Sequence, residues 1–332
     1  MIRVHRSGKM MTRPRLVVAR KMPRDVDARI RRDFEAWFPA GPGIGPSPMA
    51  MVGAAKEHKA DAVLIATNLA LGADVIAALP KSVKIVGSFG VGFDHVDVAA
   101  AKRAGLIVTN TPEVLTECTA DLAFLLLLGA CRRAAEYVGV MRDGWRRPVS
   151  DMLGVKVTGK TLGIVGMGRI GRAVAQRARG FDMKILYTDA ARLPGELEQG
   201  ATFVPDLYEL LGRADIVSIH APLMPETRKM MDAKAFAAMQ EGAVFVNAAR
   251  GALVDEDALI AALTSGHLFA AGLDVFAAEP DYDLRFRDLP NVFLTPHTGS
   301  ATVETRNAMG YRVLDNIDAV LAGGKPIDPL WS

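Results

Sequence analysis

Short apolar runs rich in valine and isoleucine alternate along this chain with longer segments of helical period. That alternation is the mark of βαβ units, in which each strand of a parallel sheet is followed by a helix that packs back on it. The runs predict strands at Leu16–Ala19, Ala62–Ala66, Lys84–Gly87 and Leu106–Thr109. A second series is predicted at Thr161–Val165, Lys184–Tyr187, Ile216–Ile219, Ala243–Val246, Ala270–Gly272 and Val292–Leu294. Between the series, Thr111 to Tyr137 carries Pro112 near its start and is then almost continuously apolar through Leu128. A helix hydrophobic nearly all round is buried, and this one reads as the segment that crosses from a first domain into a second. Ala301 to Leu321 reads as a helix stopped by Gly323-Gly324, with Pro326 beyond, and returning to the first domain. The expected architecture is α/β with two domains: a discontinuous one from 1–110 and 298–332, and one from 111–297. The Gly- and Pro-rich loop Pro39–Pro48 marks a surface connection.

Composition narrows the partners rather than the chemistry. At 332 residues the chain is long enough for two cores, and 50% hydrophobic with 23% charged residues is the balance of a globular protein. The net charge of +3 is small and the basic residues are scattered except near the N-terminus. Neither nucleic acid nor an anionic membrane is therefore expected as a partner. The longest apolar stretch, Leu122 to Ala130, is far short of the roughly 20 residues needed to span a bilayer. Met1 to Arg13 is basic without the apolar middle of a secretory signal, and reads as a disordered leader or an upstream start. Cys118 and Cys131, on one helix and facing different ways, are too far apart to bridge. Two packed thiols fit a reducing, cytoplasmic location, and no metal site is assigned.

The strand Thr161–Val165 runs into Gly166-Met167-Gly168-Arg169-Ile170-Gly171, and Ala173 to Arg179 continues as a helix. The first glycine permits the tight turn, the second lets the backbone approach a pyrophosphate, and the third lets helix and strand pack closely. Phosphate then rests on a helix N-terminus. The spacing alone also fits a bare turn. What favours a dinucleotide is Asp189, at the end of the next strand and eighteen residues after Gly171, where a carboxylate accepts the adenosine ribose hydroxyls and repels a 2′-phosphate. NAD is thus favoured over NADP, with Arg192, three residues on, open as a 2′-phosphate ligand if Asp189 turns away.

Three later segments each place polar residues just past a buried strand, where ligands bind in open α/β sheets. They are Val246-Asn247-Ala248-Ala249-Arg250-Gly251, Gly272-Leu273-Asp274-Val275-Phe276-Ala277-Ala278-Glu279-Pro280, and Leu294-Thr295-Pro296-His297-Thr298-Gly299-Ser300-Ala301-Thr302. Singly, Arg250 fits a surface ion pair, Glu279 a turn and His297 a loop histidine. Together they supply what reduction of a 2-oxo acid needs. A planar, permanently charged guanidinium suits Arg250 to the carboxylate and ketone. His297 is the group to protonate the oxygen as hydride reaches C2. Glu279 beside the imidazole would fix its orientation and favour its protonated form.

These segments, with Gly87-Ser88-Phe89-Gly90-Val91-Gly92-Phe93-Asp94-His95-Val96-Asp97, resemble the D-isomer-specific 2-hydroxyacid dehydrogenase family from about Leu16 onward. The resemblance implies a flavodoxin-like substrate domain beside a Rossmann dinucleotide-binding domain, closing over a cleft, and a homodimer formed mainly through the cofactor domains. It places the catalytic Arg, Glu and His on Arg250, Glu279 and His297. It implies cofactor contacts at Ile170, Asp189, His220, Pro222, Thr227, Ala248, Arg250, Asp274, His297 and Gly299. It also makes Gly90, Val91 and Gly92 a loop for the substrate carboxylate, a segment that equally fits a plain strand-to-helix turn. Leu289-Pro290-Asn291-Val292 and Ser300-Ala301-Thr302 most resemble glyoxylate/hydroxypyruvate reductases and glycerate dehydrogenases. Thr298 and Cys118 depart from the pattern, and neither is expected to touch the chemistry. A non-catalytic NAD sensor, or a dehydrogenase for another small anion such as formate or phosphite, are the alternatives on the same scaffold.

Overall fold

The computed structural model describes residues 13–40 and 45–331. Met1 to Thr12 and part of the Pro39–Pro48 loop lie outside the described residues. The chain divides into two compact units, one from residues 1–115 and 302–332 and the other from 116–301.

In the first unit the strands are β1 (Arg15–Val18), β2 (Glu35–Trp37), β3 (Ala62–Ala66), β4 (Ile85–Phe89) and β5 (Ile107–Thr109). They form one sheet in the order β2-β1-β3-β4-β5, every pair parallel. That is the flavodoxin-like order. β3 and β4 are buried along their whole length, as parallel strands covered on both faces must be. β2 was not predicted: three residues led by an exposed glutamate give no apolar run to read. The helix Val303–Leu321, capped by the Thr302 hydroxyl that accepts from Thr305 N–H, packs onto this sheet at Gly87 and onto the helix Arg24–Asp33 at Gly310. A Cβ on Gly87 would lie 2.6 Å from Val313, and one on Gly310 would lie 2.4 Å from Val26. Close approach at both points requires the missing side chains.

In the second unit the strands are β6 (Thr161–Val165), β7 (Lys184–Thr188), β8 (Thr202–Phe203), β9 (Ile216–Ile219), β10 (Ala243–Asn247), β11 (Leu268–Leu273) and β12 (Val292–Leu294). The sheet order is β12-β11-β10-β9-β6-β7-β8, again with parallel pairs throughout. Read from β8, the order is that of a Rossmann sheet extended by one strand, and its direction reverses between β6 and β9. One apolar layer joins helices Thr116–Cys131 and Arg169–Arg179 to one face; the other face carries a separate cluster around Phe236, Phe245 and Leu263.

Two expectations are corrected. The helix expected through Tyr137 stops at Cys131, and a second helix, Ala134–Arg142, begins after Arg133 at φ +53°. The Cys131 carbonyl is taken instead by Val155 N–H at 2.7 Å, so the chain folding back over the helix end replaces the bond that would have continued it. The unit boundaries also fall a few residues beyond 110/111 and 297/298. Thr111 N–H donates to Gly90 O within the first unit, whereas Thr298 and Gly299 N–H both donate to Asp274 within the second. Cys131 is buried and Cys118 half-buried, and neither is in a disulfide.

Replacing Gly310 with leucine is expected to force the helix Val303–Leu321 off Val26 and to cost about 1–3 kcal/mol, read as a lower urea midpoint. An unchanged midpoint would show that this helix contact gives way without cost.

Candidate active site

The polar residues singled out in the second unit sit past the carboxyl ends of β6, β7, β9, β10, β11 and β12, where a parallel sheet leaves its open edge. Gly166 has φ +95°, and a Cβ there would lie 2.5 Å from Ala221 N. At Gly171 it would lie 2.2 Å from Gly166 O. Both glycines are demanded by backbone packed against backbone. Gly168 differs, because a Cβ there would meet nothing within 4 Å. The open space beside its backbone leaves room for the close approach of a pyrophosphate. No side chain caps the helix Arg169–Arg179 at Gly168, and the first turn of a helix presents its N–H groups and the positive end of its dipole to an anion. This loop fits a dinucleotide pyrophosphate.

Asp189 joins the same loop. One carboxylate oxygen accepts Met167 N–H at 2.7 Å and the other accepts Ala190 N–H at 2.7 Å. Each retains lone pairs for ribose hydroxyls. Arg192 is turned away: its Nε and Nη2 donate to the two oxygens of Glu198 at 2.8 and 3.1 Å. On the other side of the loop, His220 N–H donates to Val165 O, and the His220 ring Nε2 meets Ser218 Oγ at 2.8 Å. Burial pulls the His220 imidazole down to about 4, so it is neutral at physiological pH. Thr227 Oγ1 donates to Pro222 O at 2.7 Å and closes the segment that follows.

Arg250, Glu279 and His297 follow three adjacent strands, β10, β11 and β12. Past β10, Asn247 accepts Ala249 N–H and donates to Arg250 O, which pins the turn carrying Arg250. The Arg250 Nη1 donates to Ala249 O at 2.8 Å. A Cβ on Gly251 would lie 1.9 Å from the Phe276 carbonyl carbon, so the Arg250 turn lies directly against the segment that carries Glu279. Past β12, His297 stands at φ +52°, a left-handed conformation that a non-glycine residue keeps only when its surroundings fix it. What fixes it is Asp274, buried at the end of β11. Its carboxylate accepts Thr295 Oγ1 at 2.6 Å, Thr298 N–H at 2.7 Å, Thr298 Oγ1 at 3.2 Å and Gly299 N–H at 2.9 Å, while its carbonyl accepts His297 N–H.

So held, His297 Nδ1 lies 2.6 Å from Glu279 Oε2, and Glu279 Oε1 accepts Phe276 N–H at 2.9 Å. Burial would raise the Glu279 carboxyl. The hydrogen bond and charge of His297, the Phe276 N–H and the charge of Arg250 outweigh it and hold Glu279 below the ordinary carboxylate range. The carboxylate is therefore ionised beside the imidazole.

The structure thus brings together Arg250, Glu279 and His297, and it gathers Gly166, Gly168, Arg169, Ile170, Gly171, Asp189 and His220 around one loop. Ala248 and Gly299 fall on the same edge. Gly90, Val91 and Gly92 belong to the first unit, past the end of β4, where a Cβ on Gly90 would lie 2.4 Å from the Thr67 methyl and Asn110 Nδ2 donates to Val91 O. Sequence reasoning missed three supports. Asn247 stood in a quoted motif without a role. Thr298, expected to be neutral, helps hold Asp274 through its hydroxyl. Glu256, at the start of helix Glu256–Thr264, accepts Ala277 N–H at 2.8 Å and steadies the Glu279 segment. Its only signal was an acid in a first helical turn, which ordinarily answers the helix dipole.

A Rossmann sheet with a phosphate-binding turn and an Arg, Glu and His beyond its strand ends defines an NAD-dependent oxidoreductase. Comparison with known proteins narrows this. The family model for the D-isomer specific 2-hydroxyacid dehydrogenase NAD binding domain matches residues 124–299. The chain is 43% identical over 322 residues to a glyoxylate reductase of Korarchaeum cryptofilum, covering 95% of both. It is 39% identical over 321 residues to a glycerate dehydrogenase of Hyphomicrobium methylovorum, covering 94% of this chain and 98% of that one. Among solved structures, an NADPH-dependent glyoxylate/hydroxypyruvate reductase from Sinorhizobium meliloti superposes with a TM-score of 0.86 at 36% identity, covering 96% of this chain and 97% of that chain. The chain belongs to the D-isomer specific 2-hydroxyacid dehydrogenase family.

Truncating Asp274 to alanine is expected to release the His297 segment and lower kcat on the order of 10²-fold, with D274N recovering part of the loss; a kcat within threefold of wild type would show that the segment stands without it. His220 sets a second expectation. The unfolded chain protonates this imidazole near its ordinary 6.5 and the folded chain only near 4, so the unfolded state binds more protons between those values. Stability should then fall as pH drops through that window, by up to about 3 kcal/mol. Denaturant titrations from pH 7 to 4 should show a shallower fall in H220N, and parallel curves would contradict the assignment.

Proposed function

We propose that this protein reduces small 2-oxo acids, glyoxylate and hydroxypyruvate foremost, to D-2-hydroxy acids, and runs the reverse reaction with NAD. The observation that carries this reading is the His297–Glu279 pair at 2.6 Å, beside Arg250 and past the strand ends of an NAD-binding sheet. NADH, when bound, supplies the hydride. This chain's residues supply the rest. Arg250, held by its own turn, presents a guanidinium that pairs with the substrate carboxylate and polarises the ketone. Because Glu279 occupies Nδ1 of His297, Nε2 is the nitrogen left for the substrate, and it donates the proton to the C2 oxygen as charge develops there. Glu279, bonded to Nδ1, holds the ring's orientation throughout. In the oxidative direction Nε2 accepts the hydroxyl proton.

The substrate class is supported by the relatives named glyoxylate reductase and glycerate dehydrogenase, and a homodimer by the family resemblance. A cytoplasmic setting accords with cysteines that form no disulfide. The test follows NADH consumption against glyoxylate, hydroxypyruvate, pyruvate, phenylpyruvate and 2-oxoisocaproate. Fast turnover is expected with the first two. H297Q should lower kcat by about 10²–10⁴-fold while NADH still binds, as followed by its fluorescence. Protein that binds NADH and turns over no oxo acid would overturn the enzymatic reading, and an H297Q rate equal to wild type would overturn the role of His297.

A further inference from the structure

Asp189 by itself does not account for the environment of the adenosine ribose. A guanidinium three residues beyond it, on the loop that leaves β7, would attract a 2′-phosphate as strongly as Asp189 repels it. The structure shows how that cation is occupied. Arg192 Nε and Nη2 donate to Glu198 Oε1 and Oε2 at 2.8 and 3.1 Å, the side-on bidentate fork in which a guanidinium matches a carboxylate. Arg192 itself is largely exposed, with 68% of its side chain accessible, whereas the Glu198 side chain is only 9% accessible. The fixed member of the pair is the carboxylate.

Glu198 is fixed from two directions. Its Oε1 accepts the hydroxyl of Tyr187, a fully buried residue of β7, at 2.6 Å. Tyr187 in turn accepts Leu193 N–H at 3.0 Å, so the tyrosine that positions the carboxylate also ties down the loop bearing Arg192. From the other side, Arg179 at the end of the helix that starts at the glycine turn donates to Glu198 O at 3.4 Å and to Gln199 O at 2.7 Å. Hydrogen bonding to Arg192 first, and to Tyr187 second, holds the Glu198 carboxyl below its ordinary range. The acceptor is charged and in place before any cofactor arrives.

We infer that Glu198 is a cofactor-specificity residue: it withholds Arg192 from the 2′-phosphate position and thereby enforces NADH over NADPH beside Asp189. It touches no reacting atom and acts through Arg192. The inference rests on the reading of Asp189 as the ribose ligand of an NAD-preferring site. It explains why an arginine can stand three residues from that aspartate without conferring NADPH use.

The experiment measures kcat/KM for NADH and NADPH with glyoxylate in wild type, E198Q, R192A and the E198Q/R192A double variant. Glutamine keeps an acceptor for Tyr187 and removes the charge that holds Arg192. In E198Q, kcat/KM for NADPH should rise about tenfold or more, the scale of one charge-assisted hydrogen bond, while that for NADH stays within about threefold. The double variant should lose the gain. R192A alone should leave NADPH use within about twofold of wild type, because the arginine is already occupied. An unchanged NADPH value in E198Q, or a gain that survives loss of Arg192, overturns the inference. Should E198Q fail to fold, R192A decides: a tenfold loss of NADPH use would show that Arg192 already reads the phosphate and would refute the lock. A wild-type enzyme that prefers NADPH would instead overturn the Asp189 reading, a result separate from any of these.

Discussion

Asp274 is buried at the end of β11, and its carboxylate accepts hydrogen bonds from Thr295, Thr298 and Gly299 on the segment that carries His297. A buried carboxylate is costly unless its oxygens are satisfied, so the fold keeps Asp274 only with that segment wound tightly around it. The winding puts His297 at a positive φ and aims its ring at Glu279. The proton-transfer geometry is thus an outcome of satisfying a charge one residue layer behind it. Gly251, with no room for a Cβ against the Phe276 carbonyl carbon, brings Arg250 to the same place by packing.

The same economy governs the nucleotide end. There too a carboxylate with little exposure, Glu198, takes hydrogen bonds from a buried tyrosine and an arginine. Asp274 is placed by backbone N–H groups and threonine hydroxyls, Glu198 by Tyr187, and each acid then sets where the neighbouring imidazole segment or guanidinium stands. Preorganisation of this kind means little rearrangement is left to be done when ligand binds.

Much of this was legible in the sequence. The βαβ rhythm located most strands of both sheets because parallel strands buried on two faces are written as continuous apolar runs. It failed at β2 and β8, short edge strands with an exposed residue each, where one-sided burial leaves no such run. It also ran the long helix past Cys131, because Arg132-Arg133-Ala134-Ala135 carries no glycine or proline to mark a stop, whereas the Cys131 carbonyl is taken by Val155 N–H from a distant segment. The glycine turn and the Arg, Glu and His were found because tight turns and strand-end polar residues are local features.

What the sequence determined by itself was the order and type of most elements, the glycine turn, the acid at the end of the next strand and the presence of an Arg, a Glu and a His just past three strand ends. These follow from periodicity and spacing, which are properties of neighbours along the chain. Only the tertiary structure decided that Asp274 serves the His297 segment, that Thr298 and Glu256 are supports, and that Arg192 is bound to Glu198. Each of those facts is a hydrogen bond that periodicity and spacing do not specify: the Asp274 and Glu256 contacts depend on which strand ends the sheet order brings side by side, and the Arg192–Glu198 pair on how the connection between β7 and β8 folds.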